Sequence, residues 1–165
     1  MLDFEEKAGI LTAKIAGLLS ERNWTMATAE SCAGGWIAKC CTDMAGSSAW
    51  FDRGYITYSY GAKEQMLGVS PDDLLKYGAV SEEIACQMAT GAKRFSDVDV
   101  TVSATGIAGP GGGMPGKPVG LVHFGWCIGD KPVSCDAAVF EGDRNAVRQQ
   151  TVLHALEGII LRMAD

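Results

Sequence analysis

The chain has 165 residues, 47% of them apolar by type, which is enough for one well-packed core and too few for two ordinary ones. Its 20 acidic against 14 basic side chains leave a formal charge of −6, and the absence of any basic block argues against a surface that tracks nucleic-acid phosphates. The start, Met1-Leu2-Asp3-Phe4-Glu5-Glu6, lacks the basic residues and apolar run of an export signal, and no apolar stretch is long enough to cross a bilayer. A single cytoplasmic domain spanning residues 1–165 is therefore expected, with no membrane or nucleic-acid partner.

The spacing of Asp3 and Glu6 is that of a capping box, and the apolar stripe through Ile10, Ala13 and Leu18 predicts a packing helix from Phe4 to about Glu21. Trp24 to Ala29 reads as a first strand, followed by a helix from about Cys32 to Asp43. A second strand is expected at Gly54–Tyr58, ending in the polar turn Ser59-Tyr60-Gly61 before a short helix that carries Lys63, Met66 and Leu67. Ser70-Pro71-Asp72-Asp73 and Ser81-Glu82-Glu83 are helix starts, the second helix running to about Phe95. Val98–Ala104 reads as a buried central strand leading into a glycine-rich loop. Pro118–Ile128 and Val133–Phe140 then form two strands joined across Gly129-Asp130-Lys131, and Gly142-Asp143 opens a last helix that reaches Met163. Strands alternating with helices, then a hairpin, indicate a three-layer α/β fold with a mostly parallel sheet carrying an antiparallel strand.

In such sheets ligands bind beyond the carboxyl ends of the strands. Three polar turns follow such ends here: Ser31, Tyr58 with Lys63, and the loop from Thr105 to Gly113. Ser31 stands on a tight strand-to-helix turn, where a hydroxyl is clear of the backbone and the N–H groups of Ala33, Gly34 and Gly35 are in reach of a developing oxyanion. Serine at such a junction is most often a plain helix cap, so the nucleophile reading needs a base. His123 lies inside a strand and His154 in the middle of a helix, which disfavours a Ser-His-Asp triad. Lys63 is the alternative, since a desolvated lysine titrates low enough to accept a serine proton, and Tyr58 stands where it would orient that amine or relay its proton.

The loop contains a literal G-x-G-x-x-G (Gly111, Gly113, Gly116) and a near Walker A, but a strand rather than a helix is expected to follow and Pro118 replaces the magnesium-binding hydroxyl, which argues against a P-loop nucleotide triphosphatase. A glycine-rich turn able to hold phosphate or ribose remains, with Thr105 beside it. Arg144 and Arg148 are candidate phosphate cations, Glu30 and Asp43 candidate positioning carboxylates, and Ser47-Ser48 a polar turn that would line the pocket. The six cysteines form no C-x-x-C pair and only two histidines are present, so structural thiols rather than disulfides or a metal site are expected. Cys32 gains some reactivity in prospect from the helix start behind it.

Thr28-Ala29-Glu30-Ser31-Cys32, Thr57-Tyr58-Ser59 with Ala62-Lys63, Gly106-Ile107-Ala108-Gly109-Pro110-Gly111-Gly112-Gly113 and Gly142-Asp143-Arg144 together resemble the CinA C-terminal domain family, over nearly the whole chain. The resemblance implies hydrolysis of the carboxamide of nicotinamide mononucleotide without metal or other cofactor. Ser31 would be the nucleophile, Lys63 the base and Tyr58 its partner. Ser48, Thr105, Gly106, Ala108, Gly109, Gly111 and Arg144 would bind substrate. It also implies a three-layer α/β/α sandwich on a five-stranded mixed sheet of order 2-1-3-4-5 with strand 4 antiparallel, and a homodimer. Two departures stand close to these groups: Ala33 where the family has threonine and Tyr60 where it has asparagine. They define the competing expectation, a nucleotide-binding or regulatory paralogue with weak or absent turnover.

Overall fold

The computed structural model describes residues 1–164 and is organised around a five-stranded sheet of order β2-β1-β3-β4-β5. The strands are β1 (Met26–Glu30), β2 (Phe51–Ile56), β3 (Val100–Gly106), β4 (Leu121–Ile128) and β5 (Ser134–Val139). β1 pairs in parallel with β2 and β3, and β4 runs antiparallel to both of its neighbours, β3 and β5. The order and the single reversed strand agree with the expectation. The helices are α1 (Phe4–Arg22), α2 (Trp36–Thr42), α3 (Tyr60–Leu67), α4 (Pro71–Tyr77), α5 (Glu82–Ser96) and α6 (Arg144–Met163).

Two cores separate along the sheet. Met26, Val100, Val102, Ala104, Val122, Phe124 and Trp126 pack with α1, α2 and α6, whereas Ala27, Ala29 and Tyr55 pack with α3, α4 and α5. β1 is buried throughout, and its period of two sends Thr28 and Glu30 to the α2 side and the two alanines to the α5 side. β3 divides in the same way. Its hydroxyls face α5 and step along it: Thr101 donates to the Ala89 carbonyl (2.8 Å), Ser103 to Ala85 (2.6 Å) and Thr105 to Ala79 (2.9 Å). These three bonds satisfy the hydroxyls that would otherwise be costly to bury, and they fix α5 and its lead-in against the sheet.

Local signals set most helix starts. The Asp3–Glu6 capping box is formed, Ser70 caps α4 with Pro71 in its first turn, Ser81 caps α5 and Asp143 caps α6. Several boundaries differ from expectation, and three of them have a cause visible in the structure. α2 begins at Trp36 rather than near Cys32, because Gly34 and Gly35 take left-handed φ angles of 63° and 97° and hold residues 31–35 as a turn. β2 begins at Phe51, earlier than its sequence suggests, because it is an edge strand whose Asp52 and Arg53 face solvent and hide the apolar pattern. β3 continues to Gly106 because Thr105 and Gly106 pair with His123 and Val122. The sulfur chemistry also differs: Cys86 on α5 is disulfide-bonded to Cys135 on β5, while Cys32, Cys40, Cys41 and Cys127 are buried free thiols. Residues 49 apart in sequence meet there because β5 lies under the first turns of α5, a juxtaposition with no local signature.

Candidate active site

The Ser31 N–H donates to the Ala104 carbonyl (2.9 Å) and the Thr57 N–H to the Glu30 carbonyl (2.9 Å), so sheet pairing continues one residue past β1 on both sides. The result is that Ser31 and the Thr57 carbonyl emerge side by side at the carboxyl edge. Ser59 then caps α3, its hydroxyl accepting from the Ala62 N–H (3.0 Å), which places Lys63 one turn into the helix and aims it back at the sheet. The Lys63 Nζ lies 2.9 Å from Ser31 Oγ and donates to the carbonyls of Thr57 (2.7 Å) and Tyr58 (3.4 Å). Lys63 is only 1% exposed. Burial disfavours its ammonium form and lowers its pKa to about 8, outweighing the opposing effect of the neighbouring Cys32.

Ser31, Tyr58, Lys63, Thr105, Gly106, Ala108, Gly109, Gly111 and Arg144 all line one crevice of about 270 Å³, together with Cys32, Ala79, Val80, Ile107 and Gly112. Arg144, the first residue of α6, donates to the Gly109 carbonyl (2.7 Å) and to the Tyr58 hydroxyl (3.3 Å), tying the glycine loop to the opposite wall. The Tyr58 phenol is thus turned toward Arg144, and it is the Tyr58 carbonyl that meets the amine.

Other sequence expectations are redirected. The Gly34 N–H is used by the Ser31 carbonyl (3.1 Å) and the Gly35 N–H by Glu30 (3.1 Å), so neither is left for an oxyanion. Glu30 is fully buried under α2, where it also accepts from the N–H groups of Ile37 (2.9 Å) and Ala38 (3.0 Å) and from the Thr28 hydroxyl (2.9 Å). Desolvation pushes its carboxyl above the ordinary range, and these donors pull in the other direction. Ser48 lies outside the crevice. It belongs to the short 3-10 turn Ser47–Ala49 at the start of β2, and the Met26 N–H at the first residue of β1 donates to the Trp50 carbonyl just after that turn (2.8 Å). That is the amino end of the strands, roughly a strand length of 15 Å from Ser31.

Arg148, a phosphate candidate by sequence, instead donates to the carbonyls of Cys32 (3.1 Å) and Ala33 (3.0 Å). Asp43 pairs on the surface with Lys39. Cys32 lines the crevice, but burial pushes its thiol up to about 12, which makes it a poor nucleophile. Ala33 is buried in the core shared by α1, α2 and α6, so the methyl that replaces a hydroxyl there is a packing group rather than a crevice group. The Tyr60 hydroxyl accepts from the Ala79 N–H (3.2 Å), bracing the segment whose carbonyl receives Thr105. His154 packs among Phe124, Trp126 and Phe140, and among the described residues no cluster of three or more His, Cys, Asp or Glu side chains has the grouping of a metal site.

Sequence reasoning did not find Ala79 and Val80, because they reach the crevice through packing of the α5 lead-in and not through a strand end. No helix is long and apolar enough to cross a membrane among the described residues.

The arrangement is a hydroxyl and a low-pKa amine in contact, facing a glycine-rich loop with one arginine. Among curated relatives, a protein of Enterobacter agglomerans named nicotinamide-nucleotide amidohydrolase PncC is 48% identical over 153 residues, 93% of each chain. The protein of the same name from Escherichia coli (strain K12) is 48% identical over 147 residues, 89% of each. Among solved structures, the competence/damage inducible protein CihA from Agrobacterium tumefaciens superposes with a TM-score of 0.94 at 40% identity, all of both chains being covered. The family model described as the CinA C-terminal domain matches residues 9–163. The chain belongs to the CinA C-terminal domain family.

Proposed function

We propose that this protein hydrolyses the carboxamide of nicotinamide mononucleotide to nicotinate mononucleotide and ammonia, with Ser31 as nucleophile and Lys63 as base. The observation that carries the reading is the 2.9 Å contact between a buried lysine amine and a serine hydroxyl, in a chain 48% identical to proteins named nicotinamide-nucleotide amidohydrolase. A neutral amine has two N–H donors and one lone pair. With the carbonyls of Thr57 and Tyr58 accepting the two donors, the lone pair is left for the Ser31 O–H.

Lys63 takes the hydroxyl proton as Ser31 Oγ bonds to the carboxamide carbon. The tetrahedral oxyanion is met by the amide of Cys32, the residue of the turn that lines the crevice, since the amides of Gly34 and Gly35 are already used and Ala33 is fully buried. When the C–N bond breaks, the Lys63 ammonium returns its proton to the departing nitrogen and ammonia leaves. Water, deprotonated by the same amine, then cleaves the acyl-serine ester to give the carboxylate. Arg144 and the loop from Thr105 to Gly111 hold the ribose phosphate at the far end of the crevice.

Purified protein incubated with nicotinamide mononucleotide is expected to release ammonia and nicotinate mononucleotide, and Ser31→Ala to abolish both. Saturable binding of the nucleotide without ammonia would instead support the regulatory paralogue. A cytoplasmic setting and a homodimeric assembly complete the proposal, checked by cell fractionation and analytical ultracentrifugation.

A further inference from the structure

The turn that carries Ser31 is gripped from two sides by buried or half-buried charges belonging to different elements. Glu30 takes up the N–H groups of Gly35, Ile37 and Ala38. Arg148 of α6 takes up the carbonyls of Cys32 and Ala33, its guanidinium carbon lying 5.2 Å from the centre of the Trp36 ring, and Trp36 in turn packs edge-on against Phe4 (5.0 Å). The guanidinium is thus held by the aromatic face beneath it and is pre-organised to donate.

A trans peptide points its C=O and N–H in opposite directions. Holding the Cys32 carbonyl toward α6 therefore fixes the orientation of the whole Cys32–Ala33 peptide plane, which follows directly on the residue bonded to the nucleophile. The second bond, to the Ala33 carbonyl, fixes the next peptide, whose Gly34 N–H closes the turn on the Ser31 carbonyl. Both bonds act on the geometry one and two residues from the nucleophile, and Arg148 does not line the crevice itself.

We propose that Arg148 is a positioning residue for the Ser31 turn, fixing the two peptides that follow the nucleophile and with them the direction in which its hydroxyl meets Lys63. The inference rests on the amidase reading for the identity of the reaction, but not for the clamp itself. Removing the clamp leaves the substrate-binding loop and Lys63 in place, so the loss falls on kcat and not on KM.

The test compares wild type, Arg148→Ala and Arg148→Lys in two assays: ammonia release from nicotinamide mononucleotide, and acylation of Ser31 by p-nitrophenyl acetate followed by intact-mass spectrometry. For Arg148→Ala, kcat and the acylation rate are both expected to fall about 10- to 100-fold, with KM changed less than about threefold. Arg148→Lys is expected to recover part of the loss. Millimolar methylguanidinium is expected to restore part of the Arg148→Ala rate, since an open cleft bounded by Gly34, Gly35, Trp36 and Asn145 leads to the vacated position. Circular dichroism and thermal unfolding establish that each variant is folded.

A folded Arg148→Ala with wild-type kcat, or with a loss confined to KM, overturns the proposal. So does a loss that neither methylguanidinium nor lysine relieves. If wild type releases no ammonia yet Ser31 is acylated, the substrate assignment fails and the clamp is judged on acylation alone, where equal rates for wild type and Arg148→Ala overturn it.

Discussion

Lys63 shows how one buried charge ties stability to chemistry. Its pKa is about 8 in the folded chain, against the ordinary 10.5 that it regains on unfolding. Between these values the unfolded chain binds more protons than the folded one, so stability rises with pH across the window from about 8 to 10.5, and the full cost of burying the ammonium is present below it. Lys63→Met is therefore expected to stabilise the protein at pH 7, by on the order of 2 kcal/mol given the side open to the crevice, and to flatten the rise above pH 8. Denaturant midpoints at pH 7 and pH 10 measure both effects. The same titration predicts that the rate climbs with pH to a plateau, with an apparent pKa near 8, because only the neutral amine accepts the serine proton. A pH–rate profile that stays flat from pH 6.5 to 9.5 would contradict it.

At the scale of the element, the first turn of α2 has an unusual cap. Its N-cap residue, Gly35, has no side chain, and the orphan N–H groups are satisfied by Glu30 reaching up from the end of β1. A carboxylate there also suits the positive end of the helix. Gly35 itself is dictated by its φ of 97° and by Ile56 Cδ1, which a Cβ would approach to 2.9 Å. Each Glu30 oxygen accepts two bonds, one pair from Gly35 and Ile37 and the other from Thr28 and Ala38. Glu30→Gln keeps the volume but turns one oxygen into a donor, leaving one pair unsatisfied. A loss of about 1–3 kcal/mol in unfolding free energy is expected, read from chemical denaturation, with slower Ser31 acylation because α2 and the serine turn share the cap.

For the molecule as a whole, close approach governs both faces of the sheet. On one face the β3 hydroxyls bond directly to α5 carbonyls, and Gly125 lies so near that a Cβ there would meet the Ala85 oxygen at 2.6 Å. On the other, α6 crosses Trp126 at Gly158, where a Cβ would fall 2.3 Å from the indole Cζ2. Trp126 is 1% exposed, stacks on Phe124 with ring centres 5.6 Å apart, and donates its indole N–H to the Ala155 carbonyl (3.1 Å), so it has little freedom to yield. Gly158→Ala is expected to destabilise by about 1–3 kcal/mol despite the better helix propensity of alanine. A melting temperature equal to or above that of wild type would contradict this packing argument. Because the clash is at the centre of the sheet, activity per folded molecule is expected to be unchanged.

The amino-acid sequence by itself determined what short-range chemistry decides. Asp3 with Glu6, Ser70-Pro71, Ser81 and Asp143 each mark a helix start, because a cap bonds within three residues of itself. Alternation of strands with helices, then a hairpin, indicated a mixed α/β sheet, and strand-end logic drew Ser31, Lys63 and the glycine loop toward one edge, where they meet. The partners that these groups choose were decided by tertiary structure alone. Arg148 and Cys32 are 116 residues apart, and nothing local distinguishes an arginine that will clamp a turn from one that will face solvent. Likewise the amides of Gly34 and Gly35 were free by sequence and are taken in the fold, while Ser48 was sent to the opposite end of the strands by an edge strand whose start the sequence concealed. Hydrogen-bond donors and acceptors are satisfied by whatever packing brings within 3 Å, and that is a property of the folded surface rather than of neighbours in the chain.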